Sequence, residues 1–578
     1  MKQLLIYILL FAFNGASATN YYINSSTGSD ANNGLTTGTA WLSISKVNAT
    51  TFAASDSILF NRGNTFYGTL IPNRSNLVYA AYGTGANPII TGFTNVTGWT
   101  NEGGGIYSKI IASATQTNMV TIDGVQVAMG RYPDASYITY TAATANTKIV
   151  ATGLSATNWT NAEAAIRKND WTIDRCNITN QTVDTITYTS AGSTQNATAG
   201  FGFFIQNDLR TLTTYGEWYH NFLTGKFYMY FGAVDPTTKV VKVATVNNLF
   251  YITGNTKDNI TVNDIAFTGS ISHAINIQYG IDNTLISGCN ISFAGGSGIS
   301  TLSTGVSNIY SNNTISNCNG YGIYDYGIST TFTSNSIYNI GTIAGQYLGA
   351  DGYAGIYTVG DGSNVNLNTV RLTGYNGITL RYTGTSAIQS NIIDSVCTFL
   401  DDGAGIYTST ADASVRTITG NTITNVLGLR SAGIYLDENA SNVIVSNNNI
   451  SKVLNFAGIK LHKGASNSIL SNTVTNSGYG IGFEDYVGNQ IRGNVVKYNT
   501  FNTAISWKMR SVTNDLPSFG IADSNAYAGT FYLNQPSMGG WVTYSLAQWK
   551  SFSGQDMNSW VYVAPVTSRR IYLRIKRT

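Results

Sequence analysis

The segment Asp401-Asp402-Gly403-Ala404-Gly405-Ile406-Tyr407, followed 28 residues on by Gly433-Ile434-Tyr435-Leu436-Asp437, shows how this chain is built. A small residue followed by isoleucine returns again and again. It occurs at Ala274-Ile275, Gly298-Ile299, Gly322-Ile323, Gly355-Ile356 and Gly377-Ile378, then at Gly405, Gly433, Gly458-Ile459, Gly480-Ile481 and Ala504-Ile505, in steps of 22 to 33 residues. A second signal, an asparagine two places before Ile or Val, recurs at Asn263, Asn313, Asn335, Asn368, Asn391, Asn421, Asn448, Asn472 and Asn494, with Cys289 in the same place once. Short β-rich segments at this period, with no helical pattern, predict a solenoid of stacked coils, a parallel β-helix.

Phase within the repeat predicts which side chains point where. Successive residues of a strand face opposite sides of the sheet. The recurring isoleucine must face inward, and so must the residue two places on (Thr358, Leu380, Thr408, Leu436, Leu461, Phe483). The intervening positions face outward: Tyr357, Thr379, Tyr407, Tyr435 and Lys460 one place on, then Arg381, Ser409, Asp437, His462 and Glu484 three places on. The asparagines are predicted to stack at a turn, where their amides satisfy backbone groups of neighbouring coils that burial would otherwise leave unpaired.

The rest of the chain fits around this solenoid. Charged residues are only 11% of the 578, and Gly, Asn, Ser, Thr and Tyr take their place, the composition of short strands joined by tight turns. A hydrophobic content of 43% argues against disorder, and a net charge of +3 gives no reason to expect nucleic acid. Residues 1–18 read as a secretory signal: Lys2, the apolar run Leu4 to Phe13, and Ala16-Ser17-Ala18 before the cut. No later stretch is apolar enough to span a bilayer, so the protein is expected to be exported (periplasmic, extracellular or cell-surface) and monomeric. Residues 19–95 read as an N-terminal cap and first coils, with Trp41 to Val47 as the cap. Residues 96–239 lose the period and read as an antiparallel β insertion with an Asp123-Gly124 hairpin turn. Residues 240–508 read as the main parallel β-helix and 509–578 as a C-terminal capping segment. The four cysteines are expected to be free, since Cys318 and Cys397 share a phase but lie three coils apart, ~14 Å at the strand spacing.

The Asn-x-Ile ladder, the Gly-Ile-Tyr repeats, the opening Tyr22-Ile23-Asn24 with Gly28 to Gly34, and the late Ser553-Gly554-Gln555-Asp556-Met557-Asn558-Ser559 resemble the right-handed parallel β-helix superfamily, pectate-lyase-like, and within it secreted bacterial right-handed β-helix repeat proteins. The resemblance implies an all-β, right-handed solenoid. It does not imply one reaction, because the superfamily hosts lyases, hydrolases, epimerases and non-enzymes.

Charge is scarce, so its clustering on the outward strip marks a candidate site of about 20 Å over five coils. Its candidate catalytic residues are Asp437, His462, Glu484, Lys460 and Asp402; its candidate substrate-binding residues are Arg381, Tyr407, Tyr435 and Arg492. Cleavage of a glycosidic bond requires two carboxyl groups, about 5 Å apart for retention or about 6.5–9.5 Å for inversion. Asp437 with Glu484, two coils apart at ~9.6 Å, or Asp402 with Asp437 would serve, with His462 holding one in its working protonation state. A uronate lyase would instead use Lys460 or His462 as base and Arg381 or Arg492 as the cation on the enolate. No strict metal-ligand spacing is present, though a calcium held by Asp437, Glu438 and Asp485, hard oxygen donors of the kind it takes, could replace or assist the arginine. The tyrosines would offer a flat surface for sugar rings. These residues predict a polysaccharide partner and, most simply, its cleavage; the alternative is a non-catalytic surface, adhesive or glycan-binding β-helix whose opposite charges only pair across coils.

Overall fold

Three long sheets of parallel strands share one apolar interior in a computed structural model that describes residues 18–563, apart from 155, 191, 255–256, 350–351, 382–383, 411–412 and 489. Residues 1–17, nearly all of the stretch read as a secretory signal, and the basic residues from Arg569 to Arg577 lie outside the described residues. Each coil gives one strand to each sheet in turn. A representative coil runs Ala387–Gln389 in sheet 1, Ile392–Val396 in sheet 2 and Ala404–Ser409 in sheet 3. Sheet 1 extends from Asn20–Ile23 to Gly520–Asp523, sheet 2 from Thr65–Tyr67 to Trp560–Val561, and sheet 3 from Phe250–Ile252 to Thr530–Asn534, with Val542–Tyr544 added antiparallel at its end.

The recurring isoleucines line up across coils, Ile378 beside Ile406, Ile406 beside Ile434 and Ile434 beside Ile459. They are fully buried, as are Ile393, Ile423 and Ile450 of sheet 2 and Ile388 and Ile418 of sheet 1. Burial of each such side chain is worth about 1.5–3 kcal/mol, repeated along the whole solenoid. The preceding glycine follows from the same packing. A Cβ on Gly405 would sit 2.5 Å from Ile423 Cγ2 and 2.8 Å from the Gly433 carbonyl oxygen; one on Gly433 would meet Ile450 Cγ2 and the Gly458 oxygen, each at 2.5 Å. A side chain has no room there.

The asparagine ladder runs Asn313, Asn335, Asn368, Asn391, Asn421, Asn448, Asn472, Asn499 and Asn525 in the turn between sheets 1 and 2. Each backbone N–H and each Nδ2 donates to Oδ1 of the next asparagine at 2.9–3.0 Å. Cys289 donates its N–H to Asn313 Oδ1 at the ladder's first rung. Two sequence expectations are corrected here. Asn263 pairs in register with Ser287, two places before the ladder position, and Asn494 belongs to a second ladder, accepting from Asn467 N–H. The solenoid also outruns residue 508. Trp507 takes the interior place beside Ile481, so Ile505 is not a core residue, and parallel pairing continues through Thr530–Asn534. The helix Leu546–Ser553 covers the last coil, with Trp549 stacked on Phe531 at 5.3 Å.

Antiparallel pairing begins at Phe93–Val96, whose partner is Val241–Ala244, and these two strands form the neck of the insertion. Asp123-Gly124 makes the tight turn between Val120–Ile122 and Val125–Gln126, both residues having positive φ. An eight-stranded sheet within the insertion folds back onto the solenoid. Its Ala165, Ile173 and Phe204 pack against Tyr353 and Leu400, and Gln206 Nε2 and Arg175 Nη1 donate to the carbonyls of Gly345 and Gln346 at 2.8 and 3.2 Å. This docking places the insertion beside the outer face of sheet 3. All four cysteines are free and buried. No helix among the described residues is long and apolar enough to cross a membrane.

Candidate active site

The outer face of sheet 3 carries the site because register there is unbroken. Ser409 pairs with Asp437, His462 with Glu484 and Glu484 with Arg510, so every third residue after the isoleucine falls on one strip. Between this strip and the insertion lies a cleft of about 220 Å³. It is lined by Trp171 and Gln195 from the insertion and by Ala354, Tyr357, Tyr375, Asn376, Thr379, Arg381, Asp402, Tyr407, Asp437 and Glu438 from the solenoid.

Asp437 is held by two donors. His462 Nδ1 lies 2.6 Å from Oδ1, and the Tyr407 hydroxyl donates to Oδ2 at 2.8 Å. An ionised carboxylate can only accept, so Nδ1 carries the proton. Burial works to raise the Asp437 pKa, but these two hydrogen bonds outweigh it and hold the carboxyl below its ordinary value. Burial and the charge of Asp437 raise Tyr407 in turn, which keeps its hydroxyl protonated and donating.

Asp402 is the opposite case. Its side chain makes no hydrogen bond or ion pair to any described residue, and its backbone sits in the left-handed region at φ 54°. Its neighbours hold it there: Asp401 Oδ1 accepts from the Asp402 N–H at 3.0 Å, and Tyr375 donates its hydroxyl to the Asp402 carbonyl at 3.1 Å. Burial, with the negative charges of Asp437 and Asp170 nearby, pushes the Asp402 carboxyl up to about 6. One cleft thus contains a carboxyl group that keeps its proton in mild acid and a carboxylate that gives its proton up early, the division of labour that acid–base catalysis requires.

Beyond His462 the strip closes on itself. Lys460 is buried, and its ammonium lies 2.6 Å from Glu484 Oε1, while Tyr486 donates to Oε2 at 2.8 Å and stands perpendicular to the His462 ring at 5.4 Å. Burial alone would raise Glu484; the Lys460 charge and these contacts reverse that and hold it low.

The family model for a right-handed β-helix region matches residues 354–516, the coils that carry this cleft. The chain is a right-handed parallel β-helix. Among solved structures this β-helix is similar to a glycoside hydrolase, at 12% identity and TM-score 0.55, over 83% of this chain and 96% of that one. It is also similar to XylC in complex with xylose, at 14% identity and TM-score 0.53, over 94% of this chain and 86% of that one. At such identities the likeness is one of fold. A comparison with curated protein sequences finds no match.

Of the residues the sequence singled out, the β-helix brings Arg381, Asp402, Tyr407 and Asp437 into the cleft wall, with His462 bonded to Asp437. Lys460 and Glu484 lie farther along the strip as an ion pair and do not line the cleft. Arg492 is elsewhere. It pairs with Asp515 in a separate depression bordered by Ile491 and Met509, because the turn after sheet 3 carries it off the outward strip. Tyr407 and Tyr435 are nearly covered and meet edge to face at 5.6 Å, so they form no flat platform. Asp485 accepts from the N–H groups of Val487, Gly488 and Gln490, which makes it a turn residue and not a calcium ligand beside Asp437 and Glu438. Among the described residues no group of three or more His, Cys, Asp or Glu side chains converges as a metal site. Trp171, Gln195, Tyr375 and Asn376 are cleft residues that the repeat did not announce.

Proposed function

We propose that this β-helix hydrolyses a glycosidic bond of a polysaccharide in the cleft, with Asp402 as the general acid and Asp437 as its ionised partner. The observation that carries the reading is the pair itself: two carboxyl groups lining one cleft, one pushed up to about 6 by burial, the other held low by His462 and Tyr407. Asp402 protonates the departing glycosidic oxygen. Asp437 either activates the attacking water or attacks the anomeric carbon, and the anomer first released distinguishes the two. Of the two bases that elimination from a uronate would call for, Lys460 is buried against Glu484 and His462 is bonded through Nδ1 to Asp437, and neither lines the cleft, which favours hydrolysis. Export through residues 1–18, which we propose on their sequence alone, suits a polymeric substrate outside the cell.

The test is a panel of xylan, mannan, galactan, arabinan, pectin and alginate, with xylan first because XylC is seen with xylose. New reducing ends are expected from at least one polymer, without the absorbance of an unsaturated uronate. Asp402→Asn and Asp437→Asn should each lower the rate by about a hundredfold or more. A panel left wholly uncleaved, or either variant retaining more than about a tenth of the activity, defeats the assignment.

A further inference from the structure

The antiparallel insertion contributes more than a wall. Its hairpin Glu163–Arg167 and Ile173–Thr182 ends in the turn 168–172, which carries Trp171 into the cleft lining with 37% of its surface exposed. A tryptophan this open is uncommon, since its large ring usually gains by burial. The turn is also firmly mounted. The Trp171 N–H donates to Asn169 Oδ1 at 3.0 Å, and Arg430 Nη1 lies 2.9 Å from Asp170 Oδ2. The Asp170 carbonyl accepts from Arg167 Nη2 at 3.1 Å and from the Asp401 N–H at 2.8 Å. Asp401 immediately precedes Asp402, so one hydrogen bond ties the indole's turn to the turn that presents the acid.

We propose that Trp171 is a stacking subsite for a pyranose ring next to the bond being cleaved, and the specificity-determining residue of the cleft. The proposal rests on the reading of the cleft as a polysaccharide site. The face of an aromatic ring is electron-rich, and the C–H-bearing face of a pyranose with equatorial substituents is apolar and weakly positive, so the two surfaces match. A ring that turns an axial hydroxyl toward the indole loses that match. The exposed Gln195 amide on the same wall is placed to hydrogen-bond ring hydroxyls. Because the stacked ring is held alike in ground and transition states, Trp171 should act on KM and leave kcat alone.

The full-length protein and its Trp171→Ala and Trp171→Tyr variants are compared on the panel polysaccharide cleaved fastest. If none is cleaved, they are compared by retardation in gels cast with each polysaccharide. Stacking is worth up to about 1.5 kcal/mol, so KM, or the dissociation constant from the gels, should rise about 5- to 10-fold in Trp171→Ala. It should stay within about 2-fold in Trp171→Tyr, with kcat changed less than about 2-fold in both. An unchanged KM in Trp171→Ala, equal damage in both variants, or a fall confined to kcat overturns the subsite while leaving the hydrolase standing. A protein that cleaves nothing but is retarded, and loses retardation in Trp171→Ala, upholds Trp171 as a stacking site while sinking the hydrolase and the placement beside a cleaved bond. A protein that neither cleaves nor is retarded overturns both.

Discussion

Replacement of Asp325 by asparagine should stabilise the protein at neutral pH and do little in acid. Asp325 ends the strand Ile323–Asp325 and pairs with Thr301 and Thr358, at the inward position that Leu380, Leu436 and Leu461 occupy in other coils. It is a fully buried acid inside the solenoid. Gly327 N–H donates to Oδ2 at 3.0 Å and the Tyr310 hydroxyl reaches Oδ1 at 3.4 Å, yet burial prevails and raises the carboxyl from 3.8 to about 6. Between those values the folded chain holds a proton that the unfolded chain has released. Stability therefore falls as pH climbs from about 4 to about 6 and is level on either side. At about 1.4 kcal/mol per pH unit the loss is ~3 kcal/mol. Asparagine is nearly isosteric and can still accept from Gly327, but it does not titrate. Urea unfolding followed by tryptophan fluorescence should show Asp325→Asn and the parent close together at about pH 4, and the variant ahead by ~3 kcal/mol at about pH 7.5. If the two proteins lose stability in parallel across this range, Asp325 is not the group responsible and the account of its burial is wrong.

Two further outcomes follow from the site and the ladder. His462→Phe keeps a ring against Tyr486 but removes the donor 2.6 Å from Asp437. A hydrogen bond to a charged group contributes about 1.5–3 kcal/mol, so the acid limb of the kcat/KM profile should move up by about 1–2 pH units, towards the alkaline limb that Asp402 sets near 6; an acid limb that stays in place argues against Asp437 as the working carboxylate. Asn421→Ala removes the acceptor of Asn391 N and Nδ2, both at 2.9 Å, and the donor to Ile388 O and Asn448 Oδ1, at 3.0 and 2.9 Å. At about 1 kcal/mol for each bond it should cost ~4 kcal/mol in urea unfolding, whereas Asn425→Ala, with one part-buried bond to Asp394, should cost under about 1.5 kcal/mol.

The scaffold was readable because a parallel solenoid stacks like on like. Ile406 over Ile434 over Ile459 is a statement about space that a period in the chain already makes. The same register made the strip Arg381, Ser409, Asp437, His462 and Glu484 legible, and with it one member of the proposed acid–base pair; the other, Asp402, showed as a carboxylate just before the Gly405-Ile406 pair of its coil. Legibility ended where phase ended. Arg492 lies in the turn between the strands Tyr479–Glu484 and Asn494–Lys497, and turns of varying length keep no phase. Ile505 lost the core position to Trp507 through a two-residue slip, and Asn499 went unnoticed because Phe501 stands where Ile or Val was expected. Tyr407 and Tyr435 face outward as predicted, but Ala404, Ala432 and Ala457 leave hollows that let the rings sink and turn on edge. Trp171 and Gln195 reach the cleft only because the insertion docks on coils some 200 residues away in the chain, and a contact of that kind shares no period with anything.

The asparagine ladder has a sense. Every Nδ2 points toward the next rung and every Oδ1 toward the previous one, so the amide dipoles lie head to tail from Asn313 to Asn525. A row of aligned dipoles ends in a bare donor, and here that donor meets a carboxylate. Asn525 Nδ2 donates to Asp556 Oδ1 at 3.1 Å, and the same carboxylate accepts from Tyr527, Ser559 and Trp549 at 2.9, 2.6 and 2.8 Å. Asp556 is thus a full stop, the terminus of a directional wire that neutralises its positive pole. The polarity makes the two ends of the ladder chemically different: the Asn313 end offers an acceptor, which the Cys289 N–H fills, and the Asn525 end a donor, which the Asp556 carboxylate meets.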